Sequence, residues 1–300
     1  MGTLDGKAAI VTGGGGLLGA EFSRALAREG ARVLVNDVDA ERAEAVVQKI
    51  QASGGEAVVD VRSVDSWDGA GEMVAHGLDV FGRVDTLVTC AHQTRFGAIW
   101  KLREKDYDAT LDVHLKGHFA CVHHASRAMV EQGSGSIVTV CSRALNGLPG
   151  VSTYAAAKGG ILSATFSWAL ELADHGIRVN AINPAAQGDE ETATRHMRWH
   201  WDFSIDKVGW TEPVPTAASV APLVVYLACD DADWITGQVL FLSGDTLALL
   251  RHPREERFGF KPDGWSLEDL QRYFKDTVGA SLEMPGMDVP RYPWYDGVKG

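Results

Sequence analysis

Two side chains in the second half of the chain have the spacing that proton transfer needs. Tyr154 and Lys158 stand four residues apart near the start of a predicted helix, which places both on one helix face. A free tyrosine has a pKa near ~10, so about one phenol in a thousand is ionised at neutral pH. An ammonium about 4 Å away would lower that pKa by roughly three units at an effective dielectric constant of about 20. The pair therefore predicts a tyrosine that exchanges protons near neutral pH.

A glycine-rich turn near the N-terminus has the features of a phosphate-binding loop. It reads Thr12-Gly-Gly-Gly-Gly-Leu-Leu-Gly19 and lies between a short apolar run and a helical pattern. Gly13 and Gly16 are expected to make the turn, and Gly19 to let the helix pack closely on the strand. A dinucleotide pyrophosphate would then lie at the positive end of the helix. A tight turn without a ligand is the alternative.

Two acidic residues end predicted strands near that turn. Asp37 follows Gly13 by 24 residues, where a carboxylate can accept both hydroxyls of an adenosine ribose and repel a 2′-phosphate. This favours NAD over NADP, although Asp37 could instead cap the next helix, a role that Asp39 fills equally well. Asp60, followed by Val61, is expected beside the adenine. A solvated carboxylate at the strand end is the alternative for Asp60.

Short apolar runs alternate with helical patterns and must position these residues. Strands and helices alternate from Lys7–Val11 to Gln238–Leu242. Such alternation implies parallel strands joined by right-handed crossovers. We therefore predict an α/β fold with a single doubly wound parallel seven-stranded Rossmann sheet and helices on both faces. This domain is placed at residues 1–244, with a substrate lid inserted at 184–215 and an irregular C-terminal extension at 245–300.

Composition and charge narrow the classes of protein that this chain can be. The 300 residues are 45% hydrophobic and 23% charged, which excludes disorder and fibrous repeats. Lys and Arg number 28 against 40 Asp and Glu, a net charge of −12 without a basic cluster, so we expect no nucleic-acid partner. We also expect no signal peptide and no membrane partner, because no apolar stretch approaches a membrane span. Four scattered cysteines are too few for a disulfide scaffold, lack metal-site spacing and point to a reducing cytoplasm.

Taken together, these motifs resemble those of the short-chain dehydrogenase/reductase family. The resemblance covers about Leu4 to Gly244 and includes Tyr154-Ala-Ala-Ala-Lys158 and Ile177-Arg-Val-Asn-Ala-Ile-Asn-Pro184. It implies NAD(P) and hydride transfer between a carbonyl and an alcohol, with Tyr154 as acid/base and Lys158 also holding the nicotinamide ribose. It further implies a serine that steadies the substrate oxygen. We favour Ser142, with Cys141, which has the usual spacing from the tyrosine, as the alternative.

Several positions depart from the family pattern. Leu17 replaces a glycine of the compact turn, and the spacing fits the family's extended members instead. His92 puts a bulky residue beside the cofactor. His114, in a helix predicted over Leu102–Glu131, stands where the family has a catalytic asparagine, and a packed, locally satisfied histidine is the alternative. The expected cofactor contacts are Gly13, Gly16, Leu17, Leu18, Gly19, Asp37, Asp60, Val61, Ala91, Tyr154, Lys158, Pro184 and Ala186.

A tryptophan-rich insert suggests the kind of substrate. Residues 195–210 contain three of the nine tryptophans. In this fold the segment would cover the substrate, and flat aromatic walls suit a ring system or another bulky apolar ketone. The expected substrate contacts are His92, Gln187 and Trp199. Anchoring of a long loop to the core or to a neighbouring subunit is the alternative.

The sequence thus predicts an NAD-dependent oxidoreductase that interconverts a secondary alcohol and a ketone on a bulky, ring-containing small molecule. A (3R)-hydroxyacyl-CoA or acyl-carrier dehydrogenase is the alternative, which Val113-His-Leu115 indicates by resemblance. Outside enzymes, the alternative is a degenerate cofactor-binding sensor or scaffold. The small residues of 155–160 resemble the family's dimer-forming helix, and Trp234–Leu240 resembles the edge through which its dimers pair. We therefore expect a homodimer or homotetramer.

Overall fold

The computed structural model describes residues 2–184, 186, 215–244, 246–253, 261–262, 264–274 and 276–278. The chain divides into two compact units, Met1–Leu250 and Arg251–Gly300. Most of the predicted lid, including Gln187 and Trp199, lies outside the described residues. Within the described part, no helix has the length and apolar character needed to cross a membrane.

The first unit is built on one sheet of eight strands. These are Ala8–Thr12, Arg32–Asn36, Ala57–Asp60, Thr86–Thr89, Gly135–Val140, Ile177–Pro184, Val239–Ser243 and Thr246–Leu250, numbered β1 to β8. Their order is β3-β2-β1-β4-β5-β6-β7-β8, and the pairs from β3 to β7 are parallel. The inner strands are buried on both faces, which explains their continuous apolar runs. The predicted doubly wound α/β fold is confirmed.

The predicted count of seven strands is wrong by one, because β8 pairs antiparallel with β7. From the sequence, residues 245–300 are predicted to form an irregular extension. Ser243 pairs with Thr246, so two residues connect the strands, and Gly244 takes the positive φ of 58° that such hairpin turns favour. β8 is almost wholly exposed at the sheet edge. Its sequence, Thr246-Leu-Ala-Leu-Leu250, is an apolar run without alternating polar residues, so the alternation typical of a half-buried strand is missing.

Helices cover both faces of the sheet, as the alternating pattern predicts. They are Leu17–Arg28, Ala40–Ala52, Trp67–Phe81, Glu104–Leu111, Gly117–Gln132, Ser152–Leu172 and Ala221–Ala228, numbered α1 to α7. Helices α1, α2 and α7 pack on one face, where Phe22 and Leu227 are fully buried. Helices α3, α5 and α6 pack on the other face, around Met73 and Ile161. The sheet and its two helical layers form the core that holds the strand ends in place.

The long helix predicted over Leu102–Glu131 is interrupted. Between α4 and α5 lies one π-helical turn, Asp112–Lys116, in which the N–H of Gly117 donates to the carbonyl of Asp112. A Cβ on Gly117 would lie 2.8 Å from the carbonyl oxygen of Val64, so the glycine permits this close approach. The wider turn carries the buried His114. Such turns often occur at functional sites.

The second unit contains one short described helix, α8, over Leu267–Tyr273. Ser266 and Asp269 form a capping box at its start, in which each side chain hydrogen-bonds the other's main-chain N–H. Lys261 also pairs with the Asp269 carboxylate. The extension is predicted from the sequence to be irregular, but it contains this short capped helix.

Candidate active site

The residues singled out from the sequence meet at one edge of the sheet. Parallel strands present their carboxyl ends together, and the crevice outside those ends is the usual ligand site of open α/β sheets. The glycine turn follows β1, Asp37 follows β2, Ala91 and His92 follow β4, and Ser142 follows β5. The topology therefore gathers positions that lie far apart in sequence.

The glycine turn approaches the chain after β4 too closely for side chains. Gly13 has a φ of 63°, and a Cβ there would lie 2.7 Å from the Cα of Ala91. A Cβ on Gly19 would lie 2.1 Å from the carbonyl oxygen of Gly13, so the glycine lets α1 pack closely on the turn that follows β1. Thr12 braces the same contact, because its Oγ1 accepts from the N–H groups of Cys90 and Ala91 at 3.0 and 3.2 Å. This bare main-chain cradle at a helix N-terminus fits a dinucleotide pyrophosphate.

The turn residues that carry side chains lie at the start of α1. Gly16 is the N-cap residue and has no side chain to cap the helix, but its carbonyl accepts from the N–H of Ala20 at 2.8 Å. Leu17 begins the helix and is half exposed, with a relative accessibility of 50%. Leu18 packs partly on the core. Leu17 therefore presents an exposed apolar side chain where α1 begins, directly after the glycine turn.

Asp37 is available beside the glycine turn because Asp39 caps the helix. The Asp39 carboxylate accepts from the N–H of Arg42, the cap contact of α2. Asp37 instead accepts from the N–H of Gly15 at 3.1 Å and from that of Asp39 at 3.0 Å. The side chain of Arg42 is paired with Asp39, with 3.2 Å between Nε and Oδ2. The half-buried carboxylate of Asp37 thus borders the cradle, and the Arg42 guanidinium pairs with Asp39.

Asp60 is held in a buried network and is not a solvated strand-end carboxylate. Its side chain is fully buried and contacts Asn36 Nδ2 and His76 Nδ1, each at 2.9 Å, as well as the Arg62 guanidinium. Burial opposes ionisation, but the hydrogen bonds from His76, Arg62 and Asn36 outweigh it and lower the pKa of Asp60. Val61, which follows it, is 51% exposed. Asp60 therefore braces the loop after β3, and the side chain of Val61 is exposed on that loop.

Tyr154, Lys158 and Ser142 come together at the start of α6. The phenol of Tyr154 is hydrogen-bonded to the side chain of Ser142. Lys158 Nζ donates to the carbonyl of Val140 at 2.5 Å and lies 5.6 Å from the Tyr154 ring centroid. Cys141 is instead buried in the core, 2% exposed, with its Sγ 3.9 Å from the carbonyl oxygen of Lys158. Of the two candidates, the geometry puts Ser142 beside the phenol.

The pKa of Tyr154 moves opposite to the expectation from its spacing to Lys158. Burial raises the pKa of Tyr154 to about 12, although the hydrogen bond to Ser142 works in the other direction. Burial also lowers the pKa of Lys158 to about 8, which weakens it as a permanent charge. The ammonium is directed to a main-chain carbonyl and not to the phenol oxygen. Tyr154 is therefore a protonated group at neutral pH in this structure.

Histidine rings surround the phenol on its other sides. His114 is fully buried, its ring centroid lies 4.8 Å from that of Tyr154, and its Nε2 lies 3.1 Å from both N and O of Gln93. Its Nδ1 has no hydrogen-bond partner among the described residues. Burial lowers the pKa values of His114 and of the buried His118 far below the usual range, so both rings are neutral. His92 is exposed and contacts Tyr154 edge-on, with 5.6 Å between ring centroids.

The sequence comparison decides the family. The short chain dehydrogenase family model matches residues 7–198. The chain belongs to the short-chain dehydrogenase/reductase family. It is therefore an oxidoreductase of a family that uses NAD(P) and acts on small molecules.

Individual relatives of this dehydrogenase/reductase align over most of its length. A (2S)-[(R)-hydroxy(phenyl)methyl]succinyl-CoA dehydrogenase subunit, BbsD of Thauera aromatica, is 34% identical over 249 residues, covering 80% of this chain and 96% of the relative. The 3-oxoacyl-[acyl-carrier-protein] reductase FabG of Thermotoga maritima is 32% identical over 252 residues, covering 80% and 98%. The crystal structure of a short chain dehydrogenase from Mycobacterium avium superposes with a TM-score of 0.82 at 32% identity, covering 95% and 98%.

Some residues of this dehydrogenase/reductase site were missed in the sequence. Thr12 belongs to the predicted turn, but only the tertiary fold shows that its hydroxyl accepts hydrogen bonds from the chain after β4. His118 stands four residues after His114, a helical spacing that could have drawn attention to it. Thr94, whose Oγ1 lies 3.0 Å from Nε2 of His92, has no local signal. Pro184 ends β6, and Ala186 packs partly on the core.

Proposed function

We propose that this enzyme uses NAD to interconvert a secondary alcohol and a ketone on a bulky, ring-containing molecule. The observation that carries the proposal is the hydrogen-bonded pair of Ser142 and Tyr154, with Lys158 one helical turn away, beside the glycine cradle. The proposed cofactor contacts are Gly13, Gly16, Leu17, Leu18, Gly19, Asp37, Asp60, Val61, Ala91, Tyr154, Lys158, Pro184 and Ala186. The proposed substrate contacts are His92, Gln187 and Trp199.

In the proposed mechanism, Tyr154 moves the proton and Ser142 positions the reacting oxygen. NAD held by the glycine cradle would supply the hydride acceptor for the alcohol carbon. The phenol is protonated at neutral pH, since burial raises the pKa of Tyr154 to about 12, and is ready to protonate a ketone oxygen in the reduction direction. Alcohol oxidation needs the phenolate, so we expect its rate to rise with pH. His114, neutral and packed on the Tyr154 ring, is proposed as a positioning residue of the set.

The roles of the hydroxyl groups can be tested by substitution. Tyr154→Phe keeps the ring and removes the proton, so we expect turnover to fall by about 10²- to 10⁴-fold while NAD binding persists. Ser142→Ala should lower turnover by about 100-fold, whereas Cys141→Ala should leave it within a few fold. Near-normal turnover by Tyr154→Phe would refute the mechanism. A larger loss from the Cys141 change than from the Ser142 change would reverse that assignment.

The choice of NAD over NADP rests on Asp37. A carboxylate that borders the cradle accepts ribose hydroxyls and repels a 2′-phosphate, a difference of about 2–3 kcal/mol or roughly 30- to 140-fold in affinity. We expect NAD to bind more tightly than NADP, and Asp37→Asn to reduce that preference. Asp39→Asn is the matched control, because Asp39 caps α2. Tighter binding of NADP to the unmodified protein in a fluorescence titration would refute the assignment.

A 3-hydroxyacyl thioester is the second candidate substrate, and the relatives favour it. The name of the Thauera aromatica relative combines a phenyl-bearing hydroxyl carbon with a CoA thioester, and that of FabG names a 3-oxoacyl carrier protein. We would supply NAD with aromatic secondary alcohols and 3-hydroxyacyl-CoA compounds and follow the absorbance of the reduced cofactor. Oxidation of the alcohols at comparable efficiency supports the first candidate, whereas activity confined to the thioesters supports the second. Cofactor binding without turnover of any compound would favour a sensor or scaffold.

We propose a homodimer that associates through the exposed side of α6. On this helix Ala156 is exposed, a Cβ on Gly159 would meet no atom within 4 Å, and Leu170 is 81% exposed. Small residues allow close helix packing. The edge of β7 that the sequence analysis expected to join dimers into tetramers is paired with β8 of the same chain. We expect light scattering to give twice the 32.3 kDa chain mass, and Leu170→Glu to shift the protein to monomer.

A further inference from the structure

His92 places a hydrogen-bonding ring against the proposed proton donor. Its ring centroid is 5.6 Å from that of Tyr154 and 5.0 Å from that of His114, and both contacts are edge-to-face. Thr94 Oγ1 lies 3.0 Å from its Nε2, which orients the imidazole. The side chain is exposed, whereas His114 behind it is fully buried. His92 therefore borders the phenol on the side that a substrate can reach.

The main chain on either side of His92 is fixed. The N–H of Ala91 donates to Thr12 Oγ1 at 3.2 Å. Both N and O of Gln93 lie 3.1 Å from His114 Nε2. Such anchoring reduces the entropy that the ring loses when it binds a ligand. The position of His92 relative to Tyr154 is thus built into the fold.

We propose that His92 hydrogen-bonds a second substrate oxygen. This oxygen is the carbonyl oxygen of an ester or thioester whose β-carbon carries the reacting alcohol. This inference rests on the proposed function, in which Tyr154 and Ser142 hold the reacting oxygen. In a β-hydroxy carbonyl compound three carbon atoms separate the two oxygens, a span of roughly 3–5 Å at ordinary bond lengths. The ring centroids of His92 and Tyr154 lie 5.6 Å apart, so the imidazole and the phenol can each face one of the two oxygens. The site therefore selects β-hydroxy and β-keto carbonyl compounds over simple alcohols and ketones.

Two racemic probes isolate the second oxygen. They are the ethyl ester of β-hydroxy-β-phenylpropionic acid and α-ethylbenzyl alcohol, which share the ring and the alcohol carbon. With NAD, we expect a higher kcat/KM for the ester. His92→Phe keeps the ring contacts with Tyr154 and His114 but removes the nitrogens. We expect it to lower the ester-to-alcohol ratio of kcat/KM by about tenfold, the effect of one hydrogen bond. His92→Asn, which retains a donor, should restore part of that ratio.

A remote histidine and a thioester complete the experiment. His175 is exposed just before the amino end of β6, opposite the site, so His175→Phe should leave the ratio unchanged. The CoA thioester of the same acid should show the same dependence on His92 as the ethyl ester, which would separate the carbonyl from the CoA group as the origin of selectivity. An unchanged ester-to-alcohol ratio in His92→Phe would overturn the inference and leave the proposed function standing. No reduced cofactor from any probe with unmodified enzyme would overturn both.

Discussion

Burial of the Lys158 ammonium lowers the free energy of unfolding, and this cost should appear as a pH dependence of stability. Its side chain is 2% exposed, and burial lowers the pKa of Lys158 to about 8 from an ordinary value of 10.5. This difference corresponds to about 3 kcal/mol. Between the two pKa values the unfolded chain holds the proton and the folded chain does not, so the free energy of unfolding rises with pH. Below about pH 8 the full penalty is present.

Lys158→Met removes the charge and keeps the length of the side chain. The variant loses the 2.5 Å hydrogen bond to the Val140 carbonyl, which costs about 1.5–3 kcal/mol and offsets much of the relief at neutral pH. The pH dependence is the sharper quantity. Between pH 7 and about pH 9.5, we expect the stability of the unmodified protein to gain about 2 kcal/mol relative to the variant.

Urea unfolding of both proteins at these two pH values measures that change, and other titrating groups cancel in the comparison. The buffer range stays below the ordinary tyrosine pKa of about 10, so Tyr154 contributes little. Circular dichroism of the unfolding transition gives the midpoints without cofactor. A difference between the two proteins that is the same at both pH values would show that Lys158 is not desolvated as the structure has it.

Two further predictions concern the cradle and its neighbour. Gly19→Ala places a Cβ 2.1 Å from the Gly13 carbonyl oxygen, so we expect it to lower both the Tm and the NAD affinity. Gly97→Ala, whose Cβ would meet no atom within 4 Å, is the control in thermal melts. The pKa of Asp60 is lowered in the fold, so the stability it contributes is present above its unfolded pKa of about 4 and is lost as pH falls below it. Asp60→Asn should therefore show a smaller acid-induced loss of stability than the unmodified protein, and an equal loss would refute that role.

The sequence by itself determined the layered fold and the main members of the site. The apolar runs of the inner strands β1, β2, β4 and β5 are buried on both faces, and such burial leaves its pattern directly in the sequence. The glycine turn was also predictable, because positive φ at Gly13 and close packing at Gly19 both require glycine. Tyr154 and Lys158 were predictable because helical spacing alone brings them to one face.

The tertiary structure decided the features that depend on distant partners. From the sequence alone, Asp37 and Asp39 are equally suited to cap α2. In the fold, Asp39 accepts from the N–H of Arg42 as the cap, and Asp37 accepts from the N–H of Gly15 in the cradle. The exposed β8 carries the apolar run Leu247–Leu250 without alternating polar residues, and its antiparallel pairing with β7 is what makes it a strand. The strand count therefore could not come from periodicity.

The direction of the tyrosine pKa shift is the clearest case. Helical spacing sets which charge is near Tyr154, but burial sets how strongly each charge is solvated. Burial requires strands, the π-helical turn and α6 to close around the phenol, and this raises the pKa of Tyr154 while lowering that of Lys158. The same closure brings His92, 62 residues earlier in the chain, against the ring. Spacing along one helix carries no information about desolvation or about partners from other strands, so these properties emerge only from the folded chain.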